Sequence, residues 1–123
     1  MSASILVIDD SSTIRQLLHH CLTSAGMTVV TAQNGEEGVA LFERASFDVV
    51  ITDMYMPKLD GIGVIEKVRQ GSLNRRVPIL VLTTDNDREV RSRAQLAGAT
   101  GWIVKPFEQQ ALVSLIGRIT GTG

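Results

Sequence analysis

The residues of this sequence most able to do chemistry are acidic and hydroxyl side chains that follow apolar runs, together with one lysine. Asp9 and Asp10 come directly after the apolar run at residues 5–8, and Asp53 follows a second run at residues 49–52. Two adjacent carboxylates about 4 Å apart repel each other by roughly 4 kcal/mol at the effective dielectric near a protein surface. An acidic pair at the end of a buried strand therefore favours a bound cation, or a charge that develops during a reaction.

Two further runs end in residues that complement the acids. Thr83 and Thr84 follow residues 79–82, and Lys105 follows residues 101–104. Oxygen ligands without histidine or cysteine select Mg²⁺, with Mn²⁺ as the alternative. A carboxylate can act as a nucleophile and form an acyl phosphate, while lysine and Mg²⁺ neutralise the charge on the transferring phosphoryl group. These residue types predict metal-assisted phosphoryl transfer.

The elements that must position these side chains appear as alternating patterns. Apolar runs of strand length lie at residues 5–8, 28–31, 49–52, 79–82 and 101–104. Between them, apolar residues recur with the period of one helix face. They are Ile14, Leu17, Leu18, Cys21, Leu22 and Ala25; Gly38, Leu41, Phe42 and Ala45; Gly61, Val64, Ile65 and Val68; Val90, Ala94 and Ala97; and Leu112, Leu115, Ile116 and Ile119. Asn34 is placed as an N-cap and Gly26 as a glycine after a helix end.

Alternating strands and helices predict an α/β fold: a doubly wound, five-stranded parallel sheet with five helices, covered on both faces. In such sheets, ligands bind beyond the carboxyl ends of the strands. The residues expected to line one cleft at that edge are Asp9, Asp10, Asp53, Thr83 and Lys105.

Size and composition set the class of protein. The 123 residues fit a single domain, residues 1–123, and 44% hydrophobic residues predict a packed core. A net charge of −1 argues against nucleic-acid binding, and the single Cys21 excludes an internal disulfide. No signal peptide and no apolar run of membrane-spanning length is visible, so we expect a soluble cytoplasmic protein that does not bind a membrane.

Four motifs together resemble the receiver domains of response regulators. They are Asp9-Asp10 after the first run, residues 52–61 (TDMYMPKLDG), Thr83 after residues 78–82 (PILVL), and residues 105–107 (KPF). The resemblance covers essentially the whole chain and is strongest to the stand-alone, CheY-like chemotaxis type, since we expect no separate output domain. It implies a flavodoxin-like sheet with strand order 2-1-3-4-5.

The resemblance also implies a metal site. Asp10 matches the carboxylate that binds the metal directly, and Asp9 the one that holds a metal-bound water. Asp53 matches the phosphoacceptor, which shares the metal, and Tyr55 the residue whose backbone carbonyl completes the site. The implied cofactor is Mg²⁺, or Mn²⁺ in its place.

The same resemblance implies how the acceptor site works. Thr83 matches the hydroxyl that moves toward the phosphoryl group on Asp53, and Lys105 the lysine that contacts that group. The bond from Lys105 to Pro106 is then expected to be cis, which is rare outside proline.

Two aromatic residues depart from the common pattern of the family. Tyr55 stands where a smaller polar residue is frequent, and its ring is expected to shield the acyl phosphate from water or to block a phosphatase. Trp102 stands at the position of the aromatic ring whose rotation couples phosphorylation to the output surface in this family, where tyrosine or phenylalanine is usual. Asp85 is expected to help cap the fourth helix or to face the phosphoryl site.

The implied function is a signalling switch rather than an enzyme, since the chain would catalyse only its own phosphorylation and dephosphorylation. A histidine kinase donates to Asp53, and an output protein binds the face of the fourth helix, fifth strand and fifth helix near Trp102. We expect a monomer in chemotaxis signalling. Alternatives are a phosphorelay intermediate and a haloacid-dehalogenase-type phosphatase, although the second acid of that class is replaced by Tyr55.

Overall fold

A computed structural model describes residues 3–71 and 74–121 of the chain. The elements in chain order are β1 (Ser4–Ile8), α1 (Ser12–Ser24), β2 (Thr28–Ala32), α2 (Gly35–Phe42), β3 (Val49–Thr52), α3 (Gly61–Gln70), β4 (Ile79–Thr83), α4 (Arg88–Ala97), β5 (Gly101–Val104) and α5 (Gln109–Thr120). The strands form one parallel sheet in the order β2-β1-β3-β4-β5. The predicted fold class and strand order are therefore confirmed.

Side chains that point alternately to the two faces of the sheet form two separate hydrophobic cores. On one face, Leu6 and Ile8 of β1 pack with buried residues of α2, α3 and α4. On the other face, Ile5 and Val7 pack with buried residues of α1 and α5. Because strand residues point alternately to the two faces, a continuous apolar run is what a sheet covered on both sides requires.

Helix ends follow the signals in the sequence. The Asn34 side chain accepts a hydrogen bond from the Glu37 N–H at 2.8 Å and so caps α2. Asp60 caps α3 in the same way through the Gly63 N–H at 2.9 Å. Gly26 follows the end of α1 with φ +89°, a conformation that glycine adopts without steric cost.

The second predicted helix is too long by one turn. The spacing placed Ala45 on its apolar face, but α2 ends at Phe42 and Ala45 is exposed. The chain leaves the helix so that buried Phe47 can stack on Phe42, with ring centroids 6.3 Å apart. Burial of a second aromatic ring outweighs one further helical turn.

The edge of the sheet at β5 is less buried than the apolar run predicts. Val104 is exposed to 37% and the other residues of β5 are half-buried, whereas every residue of β4 is buried. In α4, Ala94 is the buried residue and Leu96 is 88% exposed. The helix α4 covers β5 only thinly, because its apolar face carries small residues.

Candidate functional site

Three carboxylates meet at the carboxyl edge of the sheet. Backbone hydrogen bonds from the Asp9 N–H to Ala32 O (3.1 Å) and from the Asp53 N–H to Ile8 O (2.9 Å) extend the ladder by one residue. This extension sets Asp9 and Asp53 side by side at the ends of β1 and β3. Carboxylate oxygens of Asp9, Asp10 and Asp53 lie within 4.8 Å of one another, so the structure brings the predicted acids together.

Asp9 is the most enclosed member of this cluster. Its side chain is 2% exposed, Oδ1 accepts from the Ser11 N–H at 2.9 Å, and Oδ2 accepts from Lys105 Nζ at 3.0 Å. A buried charge needs such partners, because an unpaired one is costly. Asp10, the next residue, is exposed and faces no such constraint.

The negative charge of Asp53 is less closely balanced by Lys105 than the charge of Asp9 is. Oδ1 accepts from the Met54 N–H at 2.7 Å, and Oδ2 lies 3.5 Å from Lys105 Nζ. Burial raises the pKa of Asp53, the charge of Asp9 raises it further, and Lys105 lowers it only in part. The environment therefore disfavours the ionised form of Asp53, and an added cation would favour it.

The donor set fits a hard divalent cation. Three carboxylates cluster together and one ammonium group contacts two of them, so when all are ionised the cluster keeps an excess of negative charge. The clustered donors are oxygens, the ligands that Mg²⁺ and Mn²⁺ prefer. Tyr55 follows two residues after Asp53, and the role of its carbonyl as a ligand stays a prediction.

Thr83 and Lys105 occupy neighbouring strand ends. Thr83 is the last residue of β4 rather than the first after it, because β5 extends the ladder through the Lys105 N–H to Thr83 O at 2.8 Å. Its side chain is buried, and Oγ1 accepts from the Asp85 N–H at 3.3 Å. The Lys105–Pro106 bond is cis, as predicted. Lys105 thus contacts the carboxylate cluster directly, and Thr83 lies at the end of the strand that pairs with β3.

Tyr55 and Asp85 contact each other outside the cluster. Tyr55 is 52% exposed, and its hydroxyl donates to Oδ2 of Asp85. This hydrogen bond raises the pKa of Tyr55 and lowers the pKa of Asp85. The N-cap of α4 is Asp87, whose Oδ1 accepts from the Glu89 N–H at 2.8 Å. Asp85 supports that cap by accepting from the Asp87 N–H at 2.8 Å.

Trp102 and Arg15 complete the surroundings. Trp102 is half-buried against the core under α4, and its Nε1 is buried without a hydrogen-bond partner among residues 3–71 and 74–121. Arg15, which the sequence reasoning did not single out, donates from its guanidinium to Asp9 O at 2.7 Å. Its position in the first turn after the acidic pair was the available signal, but nothing local distinguishes it from a solvated arginine.

Comparison with known proteins defines the class. The family model for the response regulator receiver domain matches residues 5–117. The chain belongs to this family, and its fold is that of a CheY-like receiver domain. This membership decides against the haloacid-dehalogenase-type alternative.

Three relatives place the chain within that family. Chemotaxis protein CheY4 of Vibrio cholerae is 40% identical, with a TM-score of 0.92 over 97% of this chain and 99% of that one. The receiver domain of a sensor histidine kinase from Pseudomonas aeruginosa, with a magnesium ion coordinated in its active-site cleft, is 28% identical with a TM-score of 0.90 over 98% and 99%. The probable transcriptional regulator ycf27 of Guillardia theta is 42% identical over 91% of this chain, which spans only 43% of that protein's length.

Proposed function

We propose that this chain is a phosphorylation switch in which Asp53 is the phosphoacceptor. The observation that carries the proposal is the placement of Asp53 beside Lys105, with Oδ2 3.5 Å from Nζ, inside a cluster of three carboxylates. An ammonium group at this distance from the acceptor oxygen stabilises the charge that develops on a phosphoryl group in transfer.

In the proposed reaction, the donor is a phosphohistidine of a histidine kinase. A carboxylate oxygen of Asp53 attacks phosphorus, the phosphorus–nitrogen bond breaks, and its electron pair stays on the imidazole, which takes up a proton. The product is an acyl phosphate on Asp53. Because burial and the charge of Asp9 raise the pKa of Asp53, neighbouring positive charge favours the ionised nucleophile, and it also attracts the anionic donor.

Asp9, Asp10 and Asp53, with the backbone carbonyl of Tyr55, are the groups proposed to hold Mg²⁺, or Mn²⁺ in its place. The proposal is supported by the oxygen-only cluster within 4.8 Å and by the magnesium ion that the Pseudomonas receiver coordinates in its own cleft. Held by these groups, Mg²⁺ would supply positive charge that offsets the negative charge of the phosphoryl group.

Thr83 and Lys105 are proposed to respond to phosphorylation of Asp53. A phosphoryl group adds about −1.5 to −2 charges near neutral pH. Lys105 already contacts both Asp9 and Asp53, and the buried Thr83 hydroxyl lies at the end of the adjacent strand. Movement of Thr83 toward the new charge would alter the packing around Trp102 beneath α4, which couples the site to the α4–β5–α5 face.

The output is proposed to be chemotaxis signalling, with a partner on the α4–β5–α5 face near Trp102. Two observations support it: the likeness to CheY4, and the exposure of Val104 at the end of β5. A phosphorelay intermediate is the second candidate, since the Pseudomonas neighbour is the receiver domain of a sensor histidine kinase.

We further propose a monomeric, cytoplasmic, single receiver domain that binds neither nucleic acid nor membrane and catalyses only its own phosphorylation and dephosphorylation. No helix in the described parts of the chain is long and apolar enough to cross a membrane.

Affinity capture from native lysate tests the output. The full chain, with and without beryllofluoride and Mg²⁺, serves as bait, and Asp53→Asn is the matched control that cannot take up beryllofluoride. Capture of a flagellar switch component by the treated wild type alone supports chemotaxis. Capture of a histidine phosphotransfer protein in its place contradicts chemotaxis and supports the relay.

A further inference from the structure

A chain of hydrogen bonds joins the exposed ring of Tyr55 to the buried hydroxyl of Thr83. The Tyr55 hydroxyl donates to Oδ2 of Asp85, and the backbone N–H of Asp85 donates to Oγ1 of Thr83 at 3.3 Å. The other carboxylate oxygen of Asp85 accepts from the Asp87 N–H at 2.8 Å. The side chain of Asp85 is therefore held at both oxygens while its backbone contacts Thr83.

This chain of contacts crosses between two loops. Tyr55 lies in the segment between β3 and α3, two residues after Asp53, and Asp85 lies between β4 and α4, 30 residues further along. Asp87, which Asp85 supports, caps α4. The Tyr55–Asp85 contact thus ties the loop that follows the proposed acceptor to the start of the helix on the output face.

We infer that Tyr55 is a positioning residue that acts through Asp85 to hold Thr83 in its unphosphorylated arrangement. The inference rests on the proposed function, in which Thr83 moves toward a phosphoryl group on Asp53. When Thr83 turns, either the hydrogen bond from the Asp85 N–H breaks or Asp85 moves with it. Tyr55 prevents Asp85 from following, so the hydrogen bond to Thr83 is lost and the active arrangement is less favourable.

The size of the effect follows from where the contact lies. The pKa of Tyr55 is raised and that of Asp85 is lowered, as expected when a neutral phenol donates to an ionised carboxylate. Because Tyr55 is exposed, water competes for both groups, and the net stabilisation is that of an ordinary solvated hydrogen bond. Such bonds shift an equilibrium by about three- to tenfold.

Titration with beryllofluoride at fixed Mg²⁺ tests the inference on the full chain. ¹H–¹⁵N spectra follow the backbone amide of Thr83 and the indole of Trp102, the single tryptophan of the sequence. Tyr55→Phe keeps the ring and removes the donor, and we expect it to lower the beryllofluoride midpoint by about three- to tenfold. In an Asp85→Ala background, the same change should alter the midpoint no further.

Asp48→Ala is the matched control. Asp48 is also exposed and accepts a hydrogen bond from the Ser4 N–H at 2.7 Å, at the opposite end of β1 from Asp9, so the midpoint should stay at the wild-type value. A Tyr55→Phe midpoint equal to or above that of the wild type would overturn the inference, as would an equal effect of Tyr55→Phe with and without Asp85. A wild-type chain that shows no response to beryllofluoride would instead contradict the proposed function, and the inference with it.

Discussion

At the scale of single residues, the acceptor carboxylate is held between opposing charges. Lys105 contacts Asp9 at 3.0 Å and Asp53 at 3.5 Å, so one ammonium group serves two acids and is closer to the one that is not the proposed nucleophile. Burial and the charge of Asp9 leave the pKa of Asp53 above its ordinary value of 3.8. Ionised Asp53 therefore lowers the stability of the folded, metal-free protein, and added positive charge at the site would raise that stability.

This balance predicts that Asp53→Asn stabilises the metal-free protein. Because the pKa of Asp53 is raised in the folded state, ionisation of Asp53 costs stability above that pKa, and the cost is relieved as the pH falls through it. Below 3.8, Asp53 is protonated in both states and its contribution disappears. In EDTA, thermal unfolding should show Asp53→Asn above the wild type near pH 7, with a difference that shrinks as the buffer is acidified. A difference of constant size across that range would contradict the electrostatic account.

At the scale of elements, the turn after β3 is shaped by a close backbone approach at Gly61. A Cβ on Gly61 would lie 2.5 Å from Asp53 O and 2.9 Å from Met54 Cα, and its N–H donates to Met54 O at 2.8 Å. These neighbours are backbone atoms, so they cannot rotate away as a side chain can. The start of α3 is thereby fixed directly against the loop that carries Asp53.

Gly61→Ala is therefore expected to destabilise the fold by about 1–3 kcal/mol, since overpacked sites force backbone shifts. Urea unfolding measures the change, and slower phosphorylation of Asp53 should accompany it. Gly71→Ala is the control: its Cβ would meet Lys67 O at 3.4 Å and Val68 O at 3.5 Å, which is ordinary contact. That variant should be as stable as the wild type or more stable by up to about 1 kcal/mol, because alanine restricts the unfolded chain. Equal losses in the two variants would contradict the argument.

At the scale of the whole molecule, the strand ends bring groups from distant parts of the sequence to one edge. Binding of a cation there stabilises the folded state alone, since the unfolded chain does not assemble the cluster. Mg²⁺ at 100 times its dissociation constant should add about 2.7 kcal/mol to the free energy of unfolding. The melting temperature of the wild type should rise with Mg²⁺, and that of Asp10→Asn should not. A Mg²⁺ response that persists undiminished in Asp10→Asn would contradict the assigned ligand.

The sequence was most informative where local patterns and strand-end positions act together. Continuous apolar runs predict a sheet buried on both faces, and strand ends then place Asp9, Asp53 and Lys105 at one edge without any long-range information. Contacts that depend on tertiary geometry were not predictable. The early end of α2, which is set by the stacking of Phe42 on Phe47, has no signal in the helical period. The Tyr55–Asp85 contact joins two loops whose paths no local pattern specifies.

The central claim, that Asp53 accepts a phosphoryl group with the help of a metal, is tested by phosphorylation of the full chain with acetyl phosphate. Intact-mass measurement in Mg²⁺ should show one added phosphoryl group that is stable in acid and labile in base. Borohydride reduction followed by peptide sequencing should place it on Asp53. The adduct should be absent in EDTA and in Asp53→Asn. An adduct that persists in Asp53→Asn, or that forms equally well without a divalent metal, would contradict the account.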